Sequence, residues 1–262
     1  MATNVAPALA ARGLGQTQRR DNWWVGPLLT ATTLIVLGGY GTFRAFYNAE
    51  YLVDAESGSA HILSPLYSPL ILLPESFSWI SPAFLILWAP GGFRVTCYYY
   101  RKAYYRAFFL DPPGCAVGEP RNQYQGETAL FLFQNLHRYF MYLALVFLVI
   151  LSYDVVLTCI WPTDDGGHTF GMSVATLVLA VNVLYLTLYT FSCHSLRHLI
   201  GGSVDCFSCV AMGDARYRAW MGVSKLNKNH MTFAWISLFT VMGSDLYVWL
   251  IASGTIPDLR II

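Results

Sequence analysis

Charge is scarce in this sequence. Asp, Glu, Lys and Arg make up 12% of its 262 residues, about half the share of a typical soluble domain. The 16 Lys and Arg nearly cancel the 15 Asp and Glu, leaving +1, so no basic excess exists for nucleic acid and none is expected as a partner. Also missing is any run of polar and apolar alternation of the kind a membrane barrel strand needs. No low-complexity linker divides the chain, which reads as one domain over 1–262. The N-terminal tail lacks the short apolar core and small-residue cleavage site of a secretory signal, so no cleavable signal is expected there. What fills the chain is apolar: 55% is hydrophobic and 16% aromatic, enough for a belt at each face of a bilayer.

The apolar residues fall into five runs of the length a helix needs to cross a bilayer, at about 25–46, 77–100, 128–161, 169–200 and 230–253. The expected fold is therefore all-α, a membrane bundle of five transmembrane helices. Pro90, Gly91 and Gly92 interrupt the second run and predict a kink or a close helix contact there. The third and fourth runs exceed a minimal span, which predicts tilt or extension into water.

Loop charges orient the bundle. Arg12, Arg19 and Arg20 precede the first run; Arg101, Lys102, Arg106 and Arg121 follow the second; Arg197, Arg216, Arg218, Lys225 and Lys228 follow the fourth. The opposite side carries Arg44 and Arg260 among Glu50, Asp54, Glu56, Glu75, Asp164, Asp165 and Asp258. The positive-inside rule then places the N-terminus in the cytoplasm. The outer segment between the first two runs holds Ser64-Pro65-Leu66-Tyr67-Ser68-Pro69, too short and too proline-broken to cross, and is expected to cap the helix ends. Asp154 and Asp245 lie toward outer helix ends, where contact with solvent or loops is expected.

Cysteine and histidine gather on the cytoplasmic side. Cys97, Cys115, Cys193, Cys206 and Cys209 fall at that level, whereas Cys159 stands alone near the outer surface. In a reducing compartment such clustering reads as metal or cluster ligation rather than a disulfide framework. His137, His194, His198 and His230 share that depth, while His61 and His168 belong to outer segments. His194 and His198, four apart, share one helical face and can hold one ion. Cys193 points about 100° away from His194 and suits a different atom of a polynuclear cluster. Cys206 and Cys209 form a CxxC, a spacing used for zinc and iron–sulfur ligands. Singly, each residue has a plainer role, an interhelical hydrogen bond for histidine or small-hydrophobe packing for cysteine. Their convergence at one membrane depth points to function.

The blocks around these residues carry a resemblance. Cys97–Arg106, Pro112-Pro113-Gly114-Cys115-Ala116-Val117, Gln134-Asn135-Leu136-His137-Arg138-Tyr139-Phe140 and Cys193-His194-Ser195-Leu196-Arg197-His198 resemble the membrane-anchor subunit of bacterial succinate dehydrogenases. The similarity is to the single-anchor, actinobacterial type. Leu226-Asn227-Lys228-Asn229-His230-Met231 and Ser244-Asp245-Leu246-Tyr247-Val248 extend it, so that it spans about 88–254. The resemblance implies a multi-pass protein of the bacterial plasma membrane, in contact with lipid and with flavoprotein and iron–sulfur subunits as partners. It also implies quinone as electron acceptor. Higher-order assembly of the complex stays open.

Relatives of this kind often bind haem b through paired histidines, but the outer half here lacks a second pair, leaving at most one centre. One haem between His137 and His198 or His230 is the alternative. The cysteines favour a Rieske-type 2Fe-2S cluster, which takes two cysteines and two histidines and has a raised potential. The usual Rieske spacing is absent, so its ligands have to come from different helices. Cys115, His137, Cys193 and His230 are the expected ligands, with His194 and His198 next and Cys97, Cys206 and Cys209 in reserve. Arg94, Tyr98, Tyr99, Arg138, Tyr139, Trp220 and Trp23 stand at the depth where quinone needs hydrogen-bond donors. A transporter or a zinc-stabilised membrane protein is the competing class, disfavoured by the lack of an inverted repeat or of midplane charges along a path.

Overall fold

The computed structural model describes residues 13–55, 60–120 and 130–262. Arg12, Glu56, Arg121 and the start of the third expected run lie outside them.

Four described helices are long and apolar enough to cross a membrane. These are α1 (Val25–Tyr47), the body of α5 (Leu130–Leu157), α6 (Val174–Phe191) and α9 (His230–Ala252). The second expected run is not one helix. It is divided into α2 (Pro82–Ile86), α3 (Trp88–Thr96) and α4 (Tyr98–Tyr104). The division at Leu87 follows from Pro90, which has no N–H to continue the ladder yet sits without cost in the first turn of α3. The backbone stays helical through Gly91 and Gly92. Gly92 provides the close contact instead, since a Cβ there would lie 2.3 Å from the Phe140 ring of α5.

The apparent extra length of the third and fourth runs also resolves. Between α5 and α6 the chain forms a hairpin, β3 (Ile160–Pro162) with β4 (His168–Phe170), preceded by β1 (Leu52–Val53) and β2 (Ile62–Leu63) in the earlier outer segment. At its other end α6 stops at Phe191, and α7 (His194–Arg197) starts after a one-residue extended break at Cys193. The loop that follows contains α8 (Gly213–Asn227).

Helix termini show why the boundaries fall where they do. Ser173 and Thr176 form a capping box at the start of α6, and Asp258 accepts the Ala175 N–H at 3.0 Å, placing a carboxylate at the positive end of the helix dipole. Ser81 caps α2 with Pro82 behind it. The tail before α1 joins the loop after α4: Gly15 donates to the Gly118 carbonyl at 3.0 Å and Thr17 Oγ1 to that of Ala116 at 2.7 Å.

The outer segment is a packed cap, as its prolines suggested. Ile62 through Ser68 are buried, and Tyr51 stacks on Tyr67 with ring centroids 4.2 Å apart. Of the two contacts expected for Asp245, solvent or loop, the structure shows the loop, together with a buried cationic partner. Its carboxylate is fully buried and receives Arg44 Nε at 2.8 Å, the Tyr40 hydroxyl and the Ser64 hydroxyl. The Arg44 guanidinium also donates to the carbonyls of Ala49 and Glu50, and the Tyr67 hydroxyl donates to the Arg44 carbonyl. This network ties α1, the cap and α9 into one unit. Asp154 likewise turns inward, to the Ser68 hydroxyl of the cap.

Removing one partner of a buried ion pair strands the other charge, a loss of about 3–5 kcal/mol. Asp245→Asn should therefore lower the melting temperature of the detergent-solubilised protein sharply, and Arg44→Met with Asp245→Leu should recover most of it. An Asp245→Asn variant as stable as wild type would show that this network does not hold the cap to the bundle.

Candidate functional site

Two cysteines sit at helix breaks of the same form. Cys97, between α3 and α4, has φ −64° and ψ 131°; Cys193, between α6 and α7, has φ −63° and ψ 137°. A hydroxyl residue precedes each, Thr96 and Ser192. An aromatic stands four positions before each cysteine, Phe93 and Tyr189, and an arginine four positions after it, Arg101 and Arg197. A π-helical turn ends each unit, Tyr105–Phe109 and His198–Gly202. The sequence thus contains a direct repeat, Phe/Tyr-x-x-Thr/Ser-Cys-x-x-x-Arg, which the search for an inverted repeat passes over. In each half a histidine follows on the next long helix, 41 residues after Thr96 and 38 after Ser192.

The two halves meet crosswise. His137 Nε2 lies 3.2 Å from Cys193 Sγ, and His230 Nε2 lies 3.5 Å from Cys97 Sγ. All four residues are buried. Within its own half each imidazole bonds the hydroxyl beside the cysteine, His137 Nδ1 with Thr96 Oγ1 at 3.0 Å and His230 Nδ1 with Ser192 Oγ at 2.7 Å. Each also stacks on the aromatic of its half, His137 on Phe93 at 4.7 Å and His230 on Tyr189 at 5.1 Å between ring centroids.

The hydrogen-bond geometry favours one tautomer. Thr96 Oγ1 lies 2.7 Å from the Gly92 carbonyl and Ser192 Oγ lies 3.0 Å from that of Tyr189. A carbonyl only accepts, so each hydroxyl spends its single proton there and faces the imidazole as an acceptor. Both histidines therefore carry their proton on Nδ1 and turn the Nε2 lone pair toward sulfur. A neutral imidazole held this way by an outer partner is the state in which histidine binds a metal. Among the described residues no three His, Cys, Asp or Glu side chains close around a single ion. The donors form two Cys–His pairs instead, an arrangement that suits two metal atoms better than one.

Of the four side chains expected as ligands, the structure brings His137, Cys193 and His230 together and leaves Cys115 apart. Cys115 is exposed on the loop after α4, where its carbonyl accepts from Arg19 Nη1 at 3.0 Å. Pro112, Pro113 and Gly114 turn it toward the N-terminal tail rather than into the bundle. Cys97, held in reserve on sequence grounds, stands beside His230 instead, because the helix break turns it inward. Cys206 and Cys209 are bonded to each other and present no free thiolate.

A cavity of about 620 Å³ adjoins the centre, lined among others by Cys97, His137 and His230. Tyr98, Tyr99 and Arg138 border it, as do His194 and His198, which stand outside the Cys–His quartet. Arg138 Nη2 donates to His198 Nδ1 at 2.9 Å, so that nitrogen is engaged. Buried Arg101 lines the cavity too, a residue that sequence reasoning counted only as loop charge. The other quinone candidates lie elsewhere. Tyr139 is 66% exposed on the outside of α5, and Trp220 packs with Phe207, Tyr217 and Arg197 in the loop region. Arg94 faces α9, bonded to the Tyr100 hydroxyl, the Ala234 carbonyl and Ser237. Trp23 sits beside Gly114 near the N-terminal tail.

Thr96, Ser192 and Tyr189 were absent from the sequence-based site. The repeat was the available signal, because it places the same residue types around both cysteines.

Comparison with known proteins agrees with this architecture. Residues 25–254 match the family described as actinobacterial succinate dehydrogenase subunit SdhC. No curated protein matches the chain. Among solved structures, a chain of the Mycobacterium smegmatis Sdh1 complex in the apo form is 41% identical, with a TM-score of 0.82 and 100% of both chains covered. The matched region contains both halves of the repeat and the cap, and this chain belongs to the actinobacterial SdhC family, the membrane subunits of succinate dehydrogenase.

Proposed function

We propose that this subunit passes electrons from the iron–sulfur subunit of its complex to quinone, and that Cys97, His137, Cys193 and His230 hold a Rieske-type 2Fe-2S cluster for that purpose. The observation that carries the reading is the pair of buried Cys–His contacts, His137 Nε2 with Cys193 Sγ and His230 Nε2 with Cys97 Sγ. The donor set fits the group: two thiols and two neutral imidazoles are its ligand types. A haem fits less well, because each sulfur stands in the bonding direction of an imidazole, where a porphyrin would have to lie. When bound, the cluster supplies a one-electron carrier of raised potential, suited to handing electrons to quinone.

The chain's own residues do the rest. Thr96 and Ser192 hold the imidazoles in the ligating tautomer. Phe93 and Tyr189 fix their ring planes. Arg101 places positive charge beside the centre, favouring the added electron. Quinone occupies the adjoining cavity, with Tyr98, Tyr99 and the Arg138–His198 pair positioned to bond a carbonyl oxygen and deliver protons to it.

In the membrane the second crossing is made by α2, α3 and α4 together, giving five crossings with the N-terminus in the cytoplasm. The tail–loop pairing supports this, since it puts the basic tail and the basic loop after α4 on one side. That face, with α8, receives the iron–sulfur and flavoprotein subunits, so electrons enter near the cysteines.

Cysteine variants separate the two cofactor readings in the purified complex. Cys97→Ala or Cys193→Ala should abolish the cluster's magnetic-resonance signal and quinone reduction, while succinate oxidation with an artificial acceptor persists. Cys115→Ala should change none of these. A haem Soret band in wild type that survives both inner-cysteine substitutions would leave haem as the centre. For the quinone site, Arg138→Leu should raise KM for quinone roughly tenfold to a hundredfold, the loss of one charge-assisted hydrogen bond; an unchanged KM would move the site elsewhere. Labelling of single cysteines introduced at Ser203 and Gly166 in intact cells should mark only Gly166→Cys from outside. Labelling of Ser203→Cys from outside would reverse the orientation.

A further inference from the structure

The repeat is nearly symmetric around the four donors, and the departure from symmetry is one oxygen atom. Phe93 and Tyr189 occupy equivalent positions and do the same packing work, each stacked on the histidine of its own half. Phe93 shows that this task requires no hydroxyl. Tyr189 carries one, at 1% side-chain exposure.

The Tyr189 hydroxyl is buried and makes no hydrogen bond. Leaving a buried hydroxyl unsatisfied is unfavourable, a loss that phenylalanine in the same space would avoid. The ring cannot swing to find another partner. His230 stacks on one side, Phe93 and Tyr100 press at 5.1 and 6.2 Å, and the Arg94 guanidinium lies 5.0 Å over its centroid. The Cys97 thiol is among the neighbours of that hydroxyl. As a thiol, Cys97 is a weak acceptor whose own proton faces His230 Nε2. As a metal-bound thiolate it loses that proton and becomes a strong acceptor.

We propose that the Tyr189 hydroxyl donates a hydrogen bond to the Cys97 sulfur of the loaded centre and thereby raises its reduction potential. The inference rests on the cluster reading above. A hydrogen bond to a ligating sulfur draws electron density from the metal and favours the reduced state, one of the means by which proteins set such potentials. The bond reaches one cysteine only, because its counterpart at the other half is Phe93. Tyr189 is thus a positioning and tuning residue rather than a ligand.

The test is a potentiometric titration of the whole purified complex, followed by magnetic resonance of the cluster. Tyr189→Phe makes the halves alike. It should retain the signal and the iron content but lower the midpoint, so that the reduced-to-oxidised ratio at fixed potential falls about tenfold, or about 59 mV for a one-electron couple. Tyr189 replaced by 3-fluorotyrosine, a stronger donor of the same shape, should shift the midpoint upward. An unchanged midpoint in Tyr189→Phe, with the cluster present, overturns the role of Tyr189 and leaves the cluster intact as a reading. If Tyr189→Phe fails to assemble, the fluorotyrosine protein decides: an upward shift supports the hydrogen bond and no shift overturns it. A wild-type complex with no cluster signal beyond those of its soluble subunits overturns the cluster reading itself, and this proposal with it.

Discussion

A backbone polar group at membrane depth has no water to turn to, and this constraint governs how the centre is built. A helix can break there only where protein groups take over the freed donors and acceptors. Both breaks in this fold meet that condition. Asn227 Nδ2 donates to the Ser192 carbonyl at 2.7 Å, while the N–H groups of Arg101 and Arg197 return to the carbonyls of Cys97 and Cys193. The Cys193 sulfur faces the Ser195 N–H at 3.4 Å. The breaks are therefore satisfied structures, and each turns one thiol inward at the level where a histidine arrives from the neighbouring helix.

The same economy of hydrogen bonds sets the chemistry. Because the Thr96 and Ser192 hydroxyls are committed to carbonyls of their own helices, the imidazoles they meet have one permitted tautomer each. The direction of the hydroxyl proton on Thr96 or Ser192 thus bears on which nitrogen of His137 or His230 carries its own proton. The duplication of this device gives two thiols and two imidazoles from four segments without a contiguous ligand motif.

The outer half is built for a different end. Arg44 and Asp245 spend their charges on each other and on the cap, with every polar contact directed to holding α1 and α9 against the outer segment. Gly92 lets α3 approach Phe140 through the absence of one Cβ.

Composition and hydropathy alone determined that this chain is a helical membrane protein, because a bilayer leaves an apolar chain without barrel alternation few other forms. The distribution of cysteine and histidine located the centre by depth, and the blocks around them pointed to the family. Which cysteines meet the histidines was not legible to the same degree. His137, Cys193 and His230 could be picked out, but Cys97 and Cys115 flank α4, and only the direction of the chain after Thr96 separates them. Likewise Asp245 read as a loop-facing acid until its partner, Arg44, was brought across from a helix 201 residues away. Depth in the membrane is a property of segments and is written in sequence; which side chains face one another depends on helix rotation, on a single extended residue and on one missing Cβ, and these are decided by tertiary packing.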